Sequence, residues 1–256
     1  MSLITTHPHG NFCWVELATT DQTRAKAFYA QLFGWAIADQ DMGPDGLYTI
    51  FKLKNVDAAA AYTLHPQRMA GVPPHWTLYV AVDDADASAA RCVELGGEQI
   101  APPFNVHDLG RMAMMKDPSG AAHVAWQGMA NPGIGIAHEV GALCWGELNT
   151  NDTAKAKNYY SQLFGWELKT GNAGGMEYTE ILQMGKPIGG IADLPAGVNA
   201  PPHWLPYFGV SDCEATAAQV TALGGKVILA PLAISEESRI AVMLDPQGAV
   251  FAVYQE

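Results

Sequence analysis

Residues Phe12–Trp35 read FCWVELATTDQTRAKAFYAQLFGW, and residues Leu143–Trp166 read LCWGELNTNDTAKAKNYYSQLFGW. Fourteen of the 24 aligned positions are identical without a gap, at an offset of 131. Later blocks keep step at an offset of 128. Pro73-Pro74-His75-Trp76 recurs as Pro201-Pro202-His203-Trp204, Leu95-Gly96-Gly97 as Leu223-Gly224-Gly225, and Asp117-Pro118-Ser119-Gly120 as Asp245-Pro246-Gln247-Gly248. A period this long means a duplicated domain rather than a solenoid of short units. The seam falls near Gly128–His138, where Asn131-Pro132-Gly133 and Gly135 break regular structure, so the domains are read as 1–130 and 138–256.

Each half is itself written twice. Cys13–Ala18 alternates as a strand, and Asp21 supplies an N-cap for a helix that ends at Gly34, with Ala25, Phe28, Tyr29 and Leu32 on one stripe. Strand signals follow at Tyr48–Leu53 and Val56–Tyr62. The pattern then restarts with a strand at Trp76–Val82, a helix over Asp84–Leu95, and a hairpin of Met112–Met115 with Ala122–Trp126 around the Asp117–Gly120 turn.

The 256 residues are 49% apolar and 16% charged, enough to fill a core and too apolar for disorder. A formal charge of −12 makes nucleic acid and anionic membrane surfaces poor partners. No run of about 18 apolar residues offers a membrane span. Cys13, Cys92, Cys144 and Cys213 have no Cys-x-x-Cys spacing, and the N-terminus lacks a secretory pattern, so a cytoplasmic protein with reduced thiols is expected.

Taken in order, Asp21…Phe28-Tyr29…Leu32-Phe33-Gly34-Trp35, His75-Trp76…Val82-Asp83, Leu95-Gly96-Gly97 and Asp117-Pro118-Ser119-Gly120 resemble the vicinal oxygen chelate superfamily of glyoxalases, extradiol dioxygenases and bleomycin-resistance proteins. The resemblance spans nearly the whole chain. It implies an α+β fold of four βαβββ modules, paired into two glyoxalase-like domains whose curved mixed sheets each cup a small-molecule pocket. It does not fix the chemistry, because the superfamily holds both enzymes and binders.

Strand parity nominates the residues of each cup. Trp14 and Glu16 share one face of the first strand, matched by Trp145 and Glu147. His75 and Tyr79 share a face of the restart strand, matched by His203 and Tyr207. Glu16, His75, Glu147 and His203 are the candidate catalytic residues; the competing reading of each histidine is a residue that pins the turn after Pro-Pro. Arg111 and Arg239 are expected to face the cup, as an anion clamp or as partners of the glutamates. Trp126 and Tyr254 complete the aromatic lining. His123 is assigned to the packed face.

In metal-dependent members of the superfamily His or Glu occupies the first, fourth, fifth and eighth strands. Carried over residue by residue, those slots hold Trp14, Thr77 and Val124 in one half and Trp145, Leu205 and Ala252 in the other, with no ligand on the fourth strand. A divalent metal on Glu16 with His75, or Glu147 with His203, is therefore disfavoured, since two protein ligands hold a catalytic metal poorly. Two functions follow from the resemblance: lyase, isomerase or dioxygenase chemistry on a small oxygenated substrate, or non-catalytic binding of an antibiotic-type molecule. Pairing of the two domains within the chain suggests a monomer, with a homodimer as the other arrangement.

Overall fold

A computed structural model describes residues 3–65, 69, 71–173, 176–195, 197–198 and 200–256. In the N-terminal half the order is β1 (Phe12–Thr19), α1 (Gln22–Phe33), β2 (Ala36–Asp41), β3 (Leu47–Leu53), β4 (Val56–Thr63), β5 (His75–Ala81), α2 (Ala85–Glu94), β6 (Glu98–Gln99), β7 (Phe104–Val106), β8 (Gly110–Lys116) and β9 (Ala122–Gly128). The C-terminal half repeats it as β10 (Leu143–Thr150), α3 (Thr153–Phe164), β11 (Glu167–Ala173), β12 (Met176–Gln183), β13 (Lys186–Asp193), β14 (His203–Gly209), α4 (Cys213–Ala222), β15 (Lys226–Ala233), β16 (Arg239–Leu244) and β17 (Val250–Gln255). The sequence reading misses β2 and β11, polar and largely exposed edge strands without a clear apolar alternation, and likewise β6, β7 and β15 at the other edges.

Each half makes one mixed sheet. The first runs β2-β3-β4-β1-β5-β9-β8-β6, with β7 beside β8, and the second runs β11-β12-β13-β10-β14-β17-β16-β15. In both, the opening strands of the two modules lie side by side, β1 antiparallel to β5 and β10 antiparallel to β14. This is the expected pairing of two modules into one curved sheet per domain.

The helices start and stop for local reasons. Asp21 caps α1 by accepting from the Arg24 amide at 3.0 Å, and Asp152 caps α3 from Lys155 at 2.9 Å. Gly34 and Gly165 end them in the left-handed region, at φ 68° and 70°, where a Cβ is costly.

The two sheets meet through their helix-bearing faces. Trp76 Nε1 donates to Tyr29 Oη at 3.0 Å, and Tyr29 Oη donates to Asp245 Oδ2 across the domain boundary at 3.1 Å. Trp204 Nε1 donates likewise to Tyr160 Oη at 2.9 Å. Trp35 donates to the Gly141 carbonyl and Trp166 to that of Gly10, each at 2.7 Å. Phe28, Tyr29 and Phe33 pack against Phe251, and Tyr159, Tyr160 and Phe164 against His123. The helix and His-Trp motifs thus fasten one half to the other, and the opposite face of each sheet carries no helix. All four cysteines are free thiols, and no helix among the described residues is long and apolar enough to cross a membrane.

Candidate functional site

Glu16 lies in the middle of β1, with register partners Ala60 on β4 and Thr77 on β5. Its side chain points away from the helices and is 93% buried, at 7% exposure. Such a burial is costly unless the carboxyl is hydrogen-bonded. Tyr79 Oη donates to Glu16 Oε2. Tyr48 is a second hydroxyl partner, and Trp14 Nε1 donates to Tyr48 Oη at 3.3 Å. Burial pushes the Glu16 carboxyl up to about 7, and the two tyrosine hydroxyls pull it only partly back. Burial and the neighbouring carboxyl push the phenols of Tyr48 and Tyr79 well above their ordinary value, so both remain protonated donors.

The second half builds the same cluster. Tyr207 Oη donates to Glu147 Oε1 and Tyr178 Oη to Glu147 Oε2, each at 3.0 Å, while Asn149 Nδ2 approaches Oε1 at 3.3 Å. Trp145 Nε1 holds Tyr178 Oη at 3.0 Å. Burial raises Glu147, offset by these donors and by the nearby His203. A Cβ on Gly190 would lie 2.0 Å from Tyr178 Oη, so glycine there lets the hydroxyl reach the carboxyl.

Tyr48 and Tyr178 are absent from the sequence-derived candidates. Tyr48-Thr49 and Tyr178-Thr179 recur at an offset of 130, and extending the repeat alignment through β3 would have exposed them.

The histidines share the glutamates' sheet face through their register with Ala18 and Asn149. Each is pinned to its own Pro-Pro turn: His75 Nδ1 lies 2.8 Å from the Pro73 carbonyl and His203 Nδ1 lies 2.9 Å from that of Pro201. A carbonyl only accepts, so Nδ1 is the donor in each pair. The turn-pinning alternative therefore describes their hydrogen bonds, while their sheet face agrees with the catalytic one.

The arginines face the other way. Arg111 Nη2 donates to Asp86 Oδ1 on α2 at 2.8 Å and Nη1 to Asn105 at 2.9 Å, and Arg239 pairs with Glu214 on α4 at 3.4 Å. Both lie on the helix side, and neither meets a glutamate of the cup. Parity was misjudged because the cup itself is apolar: Met112 faces Trp126, and Ile240 faces Tyr254, so an apolar alternation does not mark the core side. Trp126, 6.3 Å from Tyr79 between ring centres, and Tyr254, bonded to Ser238 at 3.1 Å, lie on the cup side by their register with Ala81 and Gly209.

The pattern of the glyoxalase-like domain matches residues 14–124 and again 146–254. The chain belongs to the glyoxalase-like domain family. This glyoxalase-like protein is 39% identical over 242 residues to CFP32 of Mycobacterium tuberculosis, which bears a provisional glyoxylase name, covering 94% of this chain and 92% of the relative. It is 35% identical to the anthracycline biosynthesis protein DnrV of Streptomyces peucetius, with the same coverage. In structure it is similar to the Mn(II)-bound glyoxalase of Novosphingobium aromaticivorans, with TM-score 0.67 at 14% identity over 97% of this chain and 82% of that one. It also resembles 2,2',3-trihydroxybiphenyl 1,2-dioxygenase of Sphingomonas wittichii, with TM-score 0.66 at 12% identity over 97% and 91%. At these identities the structural likeness speaks for the fold alone.

The donor set of this glyoxalase-like chain does not fit a metal of the superfamily kind. Trp14, Thr77 and Val124, with Trp145, Leu205 and Ala252, stand at the ligand slots, and no three His, Cys, Asp or Glu converge among the described residues. Glu16 and Glu147 already accept from tyrosine hydroxyls.

Proposed function

We propose that this chain is a small-molecule enzyme of the proton-transfer kind, which takes a flat, oxygenated, aromatic ligand against the open sheet face and uses the glutamate–tyrosine cluster there. The observation that carries the reading is a buried carboxyl held by two tyrosine hydroxyls on an apolar wall, present in both halves. A carboxyl raised toward neutrality can take a proton or return it at little driving force. The protonated phenols offer donors to charge that develops beside them. The Trp145 indole and the Tyr254 ring, both partly accessible, supply flat apolar surface for an aromatic ligand. The names of CFP32 and DnrV, one a glyoxylase and one tied to anthracycline biosynthesis, support oxygenated substrates.

The matching reaction is removal and return of a proton at an activated carbon, such as one next to a carbonyl. No step needs a metal in this scheme, because the carboxyl supplies the base. The test is solvent exchange: α-hydroxycarbonyl and hydroxyquinone compounds are incubated in D2O with chelator-treated protein and followed by NMR. Exchange that survives the chelator and disappears in the Glu16→Gln/Glu147→Gln double variant is expected. Exchange that requires added metal, or that persists in the double variant, removes the proposal.

A second reading is favoured by one observation: both oxygens of Glu147 already accept from phenols. A carboxyl so occupied suits binding without turnover. Ligand binding with no exchange would select this sequestering role.

A further inference from the structure

Resting on the reading of an aromatic ligand on the open sheet face, we infer that the two cups are unequal: the C-terminal cup, around Glu147, receives the ligand, and the N-terminal cup, around Glu16, is filled by its own side chains.

The inequality shows at four matched positions. Trp14, Glu16, Met112 and Trp126 are buried, whereas their counterparts Trp145, Glu147, Ile240 and Tyr254 all remain partly accessible. The substitutions between the halves explain this. On the strand beside the glutamate, Tyr62 stands opposite Ala18 in the first half, and its place is taken by Ala192 opposite Asn149 in the second. Tyr62 is close enough to Glu16 for the carboxyl to raise its phenol further. Exchanging Tyr for Ala opens space beside Glu147 that Asn149 refills only in part. Trp126 becomes Tyr254 and Met114 becomes Val242, each a smaller side chain, while Met112 becomes the stiffer Ile240 at nearly equal volume. Thr77 to Leu205 runs the other way and adds an apolar floor.

Beyond the floor the second sheet carries an apolar wall. Leu229 and Leu232 on β15 lie opposite Val242 and Ile240, hence on the cup face, and are 37% and 50% exposed. Leu205, Tyr207 and Ala252 form a small buried cluster with Trp145, Ile240, Val242 and Tyr254 packed on it, separate from the main core. An apolar surface open to water beside a hydrogen-bonded carboxyl favours an apolar ligand with one polar group. The polar group would meet Glu147, Tyr178 and Tyr207, with Asn149 and His203 paired on the same sheet face.

The experiment uses the full chain and 1,4-dihydroxyanthraquinone as the probe, with stoichiometry read by fluorescence titration. One equivalent per chain is expected. Ala192→Tyr copies the closed half and should weaken binding at least tenfold. Leu232→Glu changes an exposed wall residue, so its fold is safe, and it should weaken binding similarly. Phe104→Glu alters the matching exposed position of the N-terminal half, opposite Met112, and should leave affinity unchanged. Two equivalents per chain, or a Phe104→Glu loss with no Leu232→Glu effect, overturns the inference while keeping the aromatic-ligand reading. No binding at all overturns that reading and the inference with it.

Discussion

His123 occupies in the N-terminal half the place that Phe251 occupies in the C-terminal half, and each packs against the aromatic stripe of the opposite half's first helix. The histidine ring lies 3.3 Å from Tyr159 Oη and is 2% exposed. Burial lowers it from 6.5 to about 4. The native state therefore binds fewer protons than the unfolded chain between those values, so stability falls as pH drops from 6.5 toward 4. The full loss amounts to about 3 kcal/mol. His123→Phe should remove this acid weakness: relative to wild type it gains up to about 3 kcal/mol at pH 4 over its difference at pH 7. Urea denaturation at the two pH values measures it, and parallel losses in both proteins would refute the assignment.

Glu16 gives the opposite slope. Its carboxyl, raised from 4.5 to about 7, holds its proton in the fold where the unfolded chain has lost it. Its contribution is present below 4.5 and lost as pH rises through about 7, a cost of about 3 kcal/mol above that pH. Glu16→Gln should match wild type near pH 4 and exceed it at pH 8 by up to this amount. Equal stability at both values would mean that the carboxyl is not raised.

Tyr29 bridges the halves by accepting from Trp76 and donating to Asp245. Tyr29→Phe leaves a buried indole N–H and a buried carboxylate oxygen each short of a partner, at an expected cost of about 2–4 kcal/mol. Thermal unfolding measures the loss, and a change below about 0.5 kcal/mol would show that the relay contributes little.

Gly190→Ala places a methyl carbon where Tyr178 Oη lies, 2.0 Å away. The phenol must leave Glu147 or the backbone must move, at an expected cost of about 1–3 kcal/mol. Binding of 1,4-dihydroxyanthraquinone should fall at the same time, while Gly171→Ala, at an open position, should change neither quantity.

Arg111→Ala and Arg239→Ala should leave ligand binding unchanged, because both guanidinium groups pair with α2 and α4 on the helix side. A tenfold loss of probe affinity in either variant would return the arginines to the cup.

The sequence by itself determined the duplication, the module order, the α+β class and the pairing of Trp-x-Glu with a histidine strand, because caps, turns and strand alternation are local and were written four times over. It also placed Glu16, Tyr79, Glu147 and Tyr207 on one face, since parity along a strand needs no tertiary knowledge. Only the tertiary structure decided the rest. Tyr48 and Tyr178 reach the glutamates from β3 and β12, two strands away in each sheet, and sequence distance hides that approach. Arg111 and Arg239 turned to the helices because a cup lined with methionine, isoleucine and valine is as apolar as a core, so hydrophobicity could not tell the two faces apart. The difference between a filled and an open cup likewise arose where Tyr62 and Ala192 stand beside their glutamates, a contrast in volume that acquires meaning only once the strands are paired.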